Sequence, residues 1–277
     1  MIGSQAKADM KAELETRSLE TRGLETRGLG IRFGGHVAVD AVSCVFKPGE
    51  LTAIVGPNGA GKTTYFNLIS GQLKASTGQV LLDGRDITGA SVAARTRAGI
   101  GRAFQLTNLF PGLSVGENVR LAIQAAAGVH YDLWRPWMRR RDLIARADQV
   151  LERVALASRR DVIAAALSHG DQRKLEVGLM IALEPQVFMF DEPTAGMSVD
   201  EVPVVLDLIA GLKADASKII LLVEHKMDVV RSLADRVIVL HNGKLMADGR
   251  PLEVMASPIV QEAYLGVSAD KTAGKAA

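Results

Sequence analysis

The sequence contains little cysteine, no long apolar run and almost no net charge, and each shortage excludes a class of protein. One cysteine, Cys44, stands among 277 residues, which excludes an internal disulfide and a cysteine-rich metal site. No apolar segment approaches the roughly 18 residues of a membrane-spanning helix. Because 33 basic residues face 31 acidic ones, the basic excess of a dedicated nucleic-acid binder is missing. We therefore expect no nucleic-acid partner.

The N-terminus is polar and repetitive. It has no apolar segment of the kind that a secretory signal contains, which predicts a cytoplasmic protein. The tetrapeptide LETR begins at Leu14, Leu19 and Leu24, a spacing that matches no common repeat architecture. Only the third copy continues into the globular part of the chain. We expect that copy to form the first edge strand, and residues 1–23 to form a poorly ordered tail.

Short apolar runs alternate with amphipathic segments along the rest of the chain. The runs LTAIV, VFMF and IILLV predict strands that are buried on both faces, and Cys44 in AVSCVF is expected in a further buried strand. Helices are predicted over residues 62–70, 200–213 and 226–235. Asn242-Gly243 predicts the turn of a hairpin. This order is typical of an α/β protein with a parallel sheet.

A long helical segment interrupts the alternation at residues 113–156. Ser114 and Glu117 form an S-x-x-E capping box, and the apolar spacing that follows suits a helix. Another helix is predicted to begin near Ser168 and to end near Glu184. The sequence thus predicts a helical part inserted into an α/β core.

A nucleotide-binding loop is predicted at GPNGAGKTT, which fits G-x-x-x-x-G-K-[ST] between a predicted strand and a predicted helix. Its glycines allow consecutive backbone N–H groups to converge on phosphates. We expect Lys62 to reach the β and γ phosphates, Thr63 to bind Mg²⁺ and Thr64 to contact the α phosphate. The predicted ATP-binding residues of the loop are Gly56, Pro57, Asn58, Gly59, Ala60, Gly61, Lys62, Thr63 and Thr64.

Two acids follow the apolar strand VFMF and form the expected second half of the metal site. Asp191 is expected to hold Mg²⁺, through water. Glu192 comes next and can act on the attacking water as its base or orienter. Two acids at a strand end can also be plain solvated charge, but their place in a chain with a phosphate-binding loop favours the metal site.

A second anion site is predicted at LSHGDQRKLE, about a hundred residues after the loop. Ser168 suits the N-cap of a helix, and Gly170 leaves the backbone open to close approach. The exposed N–H groups of a helix start attract an anion. The residues alone do not say whose anion this is.

The chain resembles the ATP-binding-cassette (ABC) ATPases. LSHGDQRKLE, placed shortly before FMFDEP, is similar to the LSGGQ signature of that family, and the resemblance runs from Leu24 to Gly266. It implies a P-loop NTPase fold with a mixed β-sheet core, an antiparallel β subdomain and an inserted α-helical subdomain. The expected division is a tail at 1–23, an ATP-binding core at 24–105 and 179–277, and the helical subdomain at 106–178.

The resemblance implies roles for further residues. Gln105 matches the Q-loop glutamine, which contacts Mg²⁺ and the attacking water. His225 matches the switch histidine, which contacts the γ phosphate, and Phe33 matches the aromatic residue that stacks on adenine. In the family the signature helix faces the ATP of a second cassette, so Ser168 and Gly170 are expected to bind the partner's γ phosphate.

Three positions depart from the family pattern. His169 and Asp171 replace the usual glycine and glutamine of the signature. Ser198 stands where many cassettes carry the D-loop aspartate, which puts cross-dimer coupling at that residue in doubt. The phosphate-contacting members of the signature remain.

Within the family, the chain is most similar to the cassettes of branched-chain amino acid importers. GRAFQLTNLFPGLSVGENV and the ending VQEAYLG carry that likeness. It implies a second cassette, identical or paralogous, two transmembrane permease subunits, a substrate-binding protein that acts through them, and a location on the inner face of the cell membrane. The alternatives are a cassette for urea, amides, aromatic acids or lipopolysaccharide, or a non-transport ABC ATPase.

The stretch WRPWMRRR, Trp134 to Arg141, contains both tryptophans of the chain and four arginines. It predicts either a solvated basic surface or a segment near anionic lipid, where arginine and tryptophan are both favoured. The sequence alone does not decide between these two.

Overall fold

The structure, a computed structural model, describes residues 23–103, 109–128 and 141–265. The strands in these ranges are β1 (Leu24–Phe33), β2 (His36–Phe46), β3 (Leu51–Val55), β4 (Thr77–Leu82), β5 (Arg85–Asp86), β6 (Ile100–Ala103), β7 (Val187–Asp191), β8 (Ile219–Val223), β9 (Arg236–His241) and β10 (Lys244–Gly249). The α-helices are α1 (Lys62–Ser70), α2 (Val92–Arg97), α3 (Val115–Ala126), α4 (Arg141–Arg153), α5 (His169–Leu183), α6 (Val202–Gly211), α7 (Met227–Leu233), α8 (Pro251–Ala256) and α9 (Pro258–Leu265).

The larger sheet has six strands in the order β10-β9-β3-β8-β7-β6. All neighbours are parallel except β10, which pairs antiparallel with β9. The three unbroken apolar runs form β3, β7 and β8 at its centre, and every residue of these strands is buried. The prediction of a mixed sheet with a buried parallel centre is confirmed.

The smaller sheet has four antiparallel strands in the order β2-β1-β4-β5. The prediction that the third LETR copy forms an edge strand is wrong, because β1 pairs with β2 on one side and with β4 on the other. Thr26, near its start, is 1% exposed and shares a 2.7 Å hydrogen bond with the Tyr65 hydroxyl of α1. Cys44 is buried in β2, as expected.

The two sheets and the helices share continuous apolar cores. One core joins the smaller sheet to α1 and to one face of the larger sheet, through residues that include Leu29, Val80, Phe66, Ile54 and Leu221. A second core covers the other face with α3, α4 and α5, through residues that include Val119, Leu151, Leu175, Phe190 and Leu222. The phosphate-loop helix is therefore packed between the two sheets, whereas the helical segment lies on the opposite face.

Most predicted helices occur, with shifted ends. Helix α1 has the predicted bounds, and the Ser114 side chain caps α3 by accepting from the Glu117 amide. The predicted helix over 200–213 is shorter, because Pro203 sits in its first turn and its last residues form a 3₁₀ turn. The segment 113–156 contains α3 and α4, and residues 129–140 between them, with most of WRPWMRRR, lie outside the described residues.

The expected three-part division of the chain stays a prediction. Its boundary between 178 and 179 falls inside α5, and its tail lies outside the described residues. Among the helices of the described ranges, none combines the length and the apolarity that a membrane crossing requires.

Candidate nucleotide-binding site

The predicted phosphate loop connects the end of β3 to the start of α1, and its glycines meet tight backbone contacts. A side chain at Gly56 would overlap the carbonyl oxygen of Leu240 in β9. Gly61 has a φ of +96° and lies against the Ala38 carbonyl of β2. Glycine is therefore the residue that allows the loop to wrap against its neighbours at these two points.

Helix α1 begins at Lys62 without any side-chain cap. The first N–H groups of a helix have no partner in their own helix, so this start presents free donors and the positive end of the helix dipole. Thr63 is exposed and Thr64 is half-buried in the first turn of the helix. The arrangement suits a polyphosphate.

Lys62 is folded back onto the loop. Its Nζ donates to the carbonyl oxygens of Gly56 at 2.6 Å and Pro57 at 2.9 Å. Burial lowers the pKa of the ammonium group, and the nearby Glu192 and Asp191 oppose that effect. The charged head is thus held among carbonyls beside two acids, within reach of an arriving phosphate.

Asp191 is the last residue of β7 and is 3% exposed. Its Oδ2 accepts from Arg102 Nη2 at 3.0 Å, whereas its buried Oδ1 has no hydrogen-bond partner among the described residues. Burial raises the pKa of this carboxyl, and the adjacent Arg102 opposes the increase. A buried acceptor without a partner is costly, and the free Oδ1 beside an uncapped helix start fits a ligand of Mg²⁺ or of its water.

Glu192 and His225 face each other at the ends of neighbouring strands. The Glu192 amide donates to the carbonyl oxygen of Val223 at 3.0 Å, and its φ of +49° turns the chain sharply after β7. His225 Nδ1 lies 3.8 Å from Glu192 Oε1. Because β7 and β8 are parallel, both residues lie at the carboxyl edge of the sheet, where β3 also enters the phosphate loop.

The signature residues begin α5. Ser168 is the N-cap, and its hydroxyl accepts from the Asp171 amide at 3.1 Å. Gly170 is buried, and a side chain there would overlap the carboxylate of Glu201. That carboxylate also accepts from the Ser198 hydroxyl at 2.9 Å and from its amide at 3.3 Å. Within the described residues, Gly170 thus packs against the turn that precedes α6 in its own chain.

Two predicted site residues remain, Phe33 and Gln105. Phe33 ends β1 and is 50% exposed, one turn before Ala38, whose carbonyl contacts the phosphate loop at Gly61. Gln105 lies outside the described residues. Its assigned contact to Mg²⁺ and water stays a prediction.

The structure adds residues that sequence reasoning missed. Arg102 holds Asp191, and Thr194 donates from its hydroxyl to the buried carboxylate of Glu224 at 2.8 Å. Arg102 lies three positions before Gln105, and Glu224 directly precedes His225, so both stand next to positions that were singled out. Nothing in their residue types alone separates them from exposed charges.

Comparison with known proteins places these features in one family. A family model described as "ABC transporter" matches residues 39–195, more than half of the chain. A second model, described as "Branched-chain amino acid ATP-binding cassette transporter", matches residues 244–270. The first match spans the phosphate loop, the signature helix and the acidic end of β7.

Curated relatives cover most of the chain. The high-affinity branched-chain amino acid transport ATP-binding protein LivG of Salmonella typhimurium is 38% identical over 241 residues, which are 85% of this chain and 94% of the relative. The corresponding protein BraF of Pseudomonas aeruginosa is 36% identical over the same shares.

The fold is also that of solved cassettes. A crystal structure of the ADP conformation of MJ1267, an ATP-binding cassette of an ABC transporter, has a TM-score of 0.76 and 31% identity. The match covers 88% of this chain and 99% of that one. From the shared fold, the matched motifs and these identities, the chain belongs to the ATP-binding cassettes of ABC transporters.

Proposed function

We propose that the chain binds and hydrolyses ATP and couples the hydrolysis to the import of branched-chain or related amino acids. The observation that carries the proposal is the convergence of three groups at one sheet edge. These are the uncapped start of α1 with Lys62, the acids Asp191 and Glu192, and His225. Phosphate-binding donors, a metal ligand and a general base at one edge of the sheet suit the transfer of a phosphoryl group to water.

Lys62 and the N–H groups of the loop would bind the β and γ phosphates. The lysine exchanges its contacts with the Gly56 and Pro57 carbonyls for phosphate oxygens, so it moves with little loss of hydrogen bonding. Thr63 and the free Oδ1 of Asp191 would hold Mg²⁺, with Gln105 as a third expected ligand. When bound, Mg²⁺ neutralises charge on the β and γ phosphates.

Glu192 is the proposed base. Its carboxylate is 30% exposed, so a water molecule can reach it between the γ phosphate and the sheet edge. It would accept a proton from the water as the water oxygen bonds to the γ phosphorus. The bond from that phosphorus to the β–γ bridging oxygen would break, and ADP would leave. His225, whose side chain is 53% exposed, would donate a hydrogen bond to the γ phosphate and stabilise the charge that spreads over its oxygens.

The signature helix supports the proposal of a second cassette. Ser168 is exposed, and the hydrogen bonds of its hydroxyl stay within α5. The N–H groups of that helix start are thus open to an anion from another chain. We propose a head-to-tail pair of cassettes, bound to two permease subunits on the inner face of the cell membrane. Phe33, at the exposed end of β1, would stack on the adenine.

The cargo proposal rests on the relatives. The proteins named LivG and BraF are branched-chain amino acid transport subunits by name and cover 85% of this chain. The match of residues 244–270 to a branched-chain amino acid cassette model supports the same class. Leucine, isoleucine and valine are therefore the first candidates.

The test is purification of the complex from membranes, identification of the bound subunits, and uptake of labelled leucine by vesicles that contain it. Glu192→Gln should keep ATP binding, lower turnover by roughly 10²-fold, the scale for a lost base, and stop uptake. Glu152→Gln, an exposed position on α4, is the matched control and should leave both unchanged. Uptake of urea or amides but not of leucine would overturn the cargo, and normal turnover in Glu192→Gln would overturn the catalytic assignment.

A further inference from the structure

Glu224 is a fully buried acid at the end of β8, directly before His225, and its side chain is 0% exposed. Both carboxylate oxygens are engaged. Oε1 accepts from the Thr194 hydroxyl at 2.8 Å. Oε2 accepts from the backbone amides of His225 at 3.0 Å and Lys226 at 3.3 Å. The carboxylate thus binds the loop that carries the switch histidine.

Burial of a carboxylate is costly unless hydrogen bonds or opposite charges compensate it. Among the described residues, neither lysine nor arginine forms an ion pair with Glu224, and His225 Nδ1 lies 4.0 Å from Oε2, beyond hydrogen-bond distance. The compensation therefore comes from its three hydrogen-bond donors. An apolar side chain would fill the same space without that cost. The hydrogen bonds of the carboxylate, rather than its volume, therefore account for an acid at this position.

Glu224 joins two segments of the site: the turn near the proposed base and the loop of the histidine. Thr194, 1% exposed, lies two residues after Glu192 in the turn that follows β7. His225 lies in the loop that follows β8, with its Nδ1 3.8 Å from Glu192 Oε1. The Glu224 carboxylate therefore connects the turn that carries the proposed base, Glu192, to the loop that carries His225.

We infer that Glu224 is a positioning residue, which fixes the His225 loop against the Glu192 turn through its hydrogen bonds to Thr194 and to the His225 and Lys226 amides. The inference rests on the proposed ATP hydrolysis and adds a residue to it. Glu224 does not touch the reacting atoms. Its effect is on the geometry of the pair, where a displacement of about 1 Å can cost roughly 10²-fold in rate.

Two substitutions separate hydrogen bonding from charge and volume. Glu224→Gln can keep all three contacts, because its amide oxygen can accept from the two backbone amides while its NH₂ donates to the Thr194 hydroxyl. Glu224→Met fills similar space and keeps none of them. The glutamine variant should therefore retain the activity that the methionine variant loses.

The kinetic measurement is kcat and KM for ATP in the assembled complex. For Glu224→Met we expect kcat to fall by about 10-fold or more, with KM for ATP within about twofold of the parent, because the phosphate loop is untouched. Glu224→Gln should stay within about threefold of the parent in kcat. A loss of kcat of equal size in both variants would overturn positioning by hydrogen bonds.

A second measurement needs no hydrolysis. Amide hydrogen exchange of His225 and Lys226 should be faster in Glu224→Met than in the parent, and nearly unchanged in Glu224→Gln. Thr194→Val removes the hydroxyl at constant shape, and should lower kcat without raising KM. It also keeps the test open if the methionine variant does not fold.

The outcomes distinguish this inference from the proposed function. If His225→Ala retains full ATPase activity, the assignment of the histidine fails and the role of Glu224 fails with it. If His225→Ala loses activity while Glu224→Met and Thr194→Val retain parental kcat and exchange rates, only the positioning role is overturned.

Discussion

The guanidinium of Arg102 lies 3.0 Å from the Oδ2 of Asp191, and the two side chains are 7% and 1% exposed. The same guanidinium donates to Asn67 Oδ1 and Ser70 Oγ of α1, at 2.6 and 2.9 Å. One arginine thus ties the acidic end of β7 to the phosphate-loop helix. It also leaves Oδ1 as the oxygen of Asp191 that remains open.

Arg102→Met should lower the free energy of unfolding by about 3 kcal/mol, because removal of one partner leaves a buried charge uncompensated. The measurement is urea denaturation without nucleotide or magnesium. In the double variant with Asp191→Asn the loss should be smaller than the sum of the two single losses, since the charge to be compensated is gone. Additive losses would contradict the pairing.

Lys62→Ala and Ser168→Arg should separate the two proposed anion sites. Lys62→Ala removes a phosphate ligand of the chain's own nucleotide, so ATP should bind the isolated chain more weakly. Ser168→Arg should leave that affinity nearly unchanged and abolish hydrolysis in the complex, because the helix start faces the partner's ATP. Fluorescent nucleotide titration and an ATPase assay measure the two effects. Equal losses of affinity would mean that the signature helix serves its own nucleotide.

Arg95 caps the far end of the phosphate-loop helix and is 2% exposed. Its Nη1 donates to the carbonyl oxygens of Leu68 and Ile69 in α1, at 2.7 and 2.6 Å. Arg95→Met would take this donor from the Ile69 carbonyl and would leave the Leu68 carbonyl with the Gly71 amide at 3.3 Å. We therefore expect a loss of about 3 kcal/mol in the free energy of unfolding. Arg97→Met, on the exposed side of the same short helix, is the control and should change it by less than about 0.5 kcal/mol. Similar values for both would contradict a capping role.

The Glu176 carboxyl should make the free energy of unfolding depend on pH. Burial raises the pKa of its carboxyl, Arg173 opposes the increase, and Oε1 has no partner among the described residues. The folded state therefore binds a proton more tightly than the unfolded state does. Its contribution to stability is full below the unfolded pKa, about 4.3, and is lost as pH rises through the folded pKa.

Glu176→Gln cannot titrate, so its stability relative to the parent should increase as pH rises from about 4 and then level off above the folded pKa. Chemical denaturation at a series of pH values measures the difference. A difference that decreases over the same range would show that Arg173, rather than burial, dominates the carboxyl.

Much of the fold follows from local sequence. Strands β3, β7 and β8 are buried on both faces, so they appear as unbroken apolar runs that need no knowledge of their neighbours. The α1 bounds follow from the loop before Lys62 and the glycine after Ser70. The interior position of β1 could not be predicted this way, since it depends on pairing with β4, more than forty residues later.

A site residue can be predicted from the sequence where a motif fixes its place on the backbone. It cannot be predicted where a buried charged residue contacts a partner that is distant along the chain. Lys62 and Asp191 stand at fixed places relative to strand ends, so their types and positions indicate their chemistry. Arg102 and Asp191 are 89 residues apart, and Thr194 and Glu224 are 30 residues apart. An arginine or glutamate in the sequence reads as an exposed charge until the fold supplies its partner.

Gly170 makes the start of the signature helix a slot for the Glu201 carboxylate of the same chain. Glu201 ends in a flexible carboxylate, so an alanine at 170 would turn that group aside and release its hold on Ser198. The turn before α6 would loosen before any second cassette is involved. A substitution at 170 would thus change a contact inside one subunit as well as the proposed contact with the partner's phosphate. Its effect in a Glu201→Ala background would isolate the contribution of the contact between subunits.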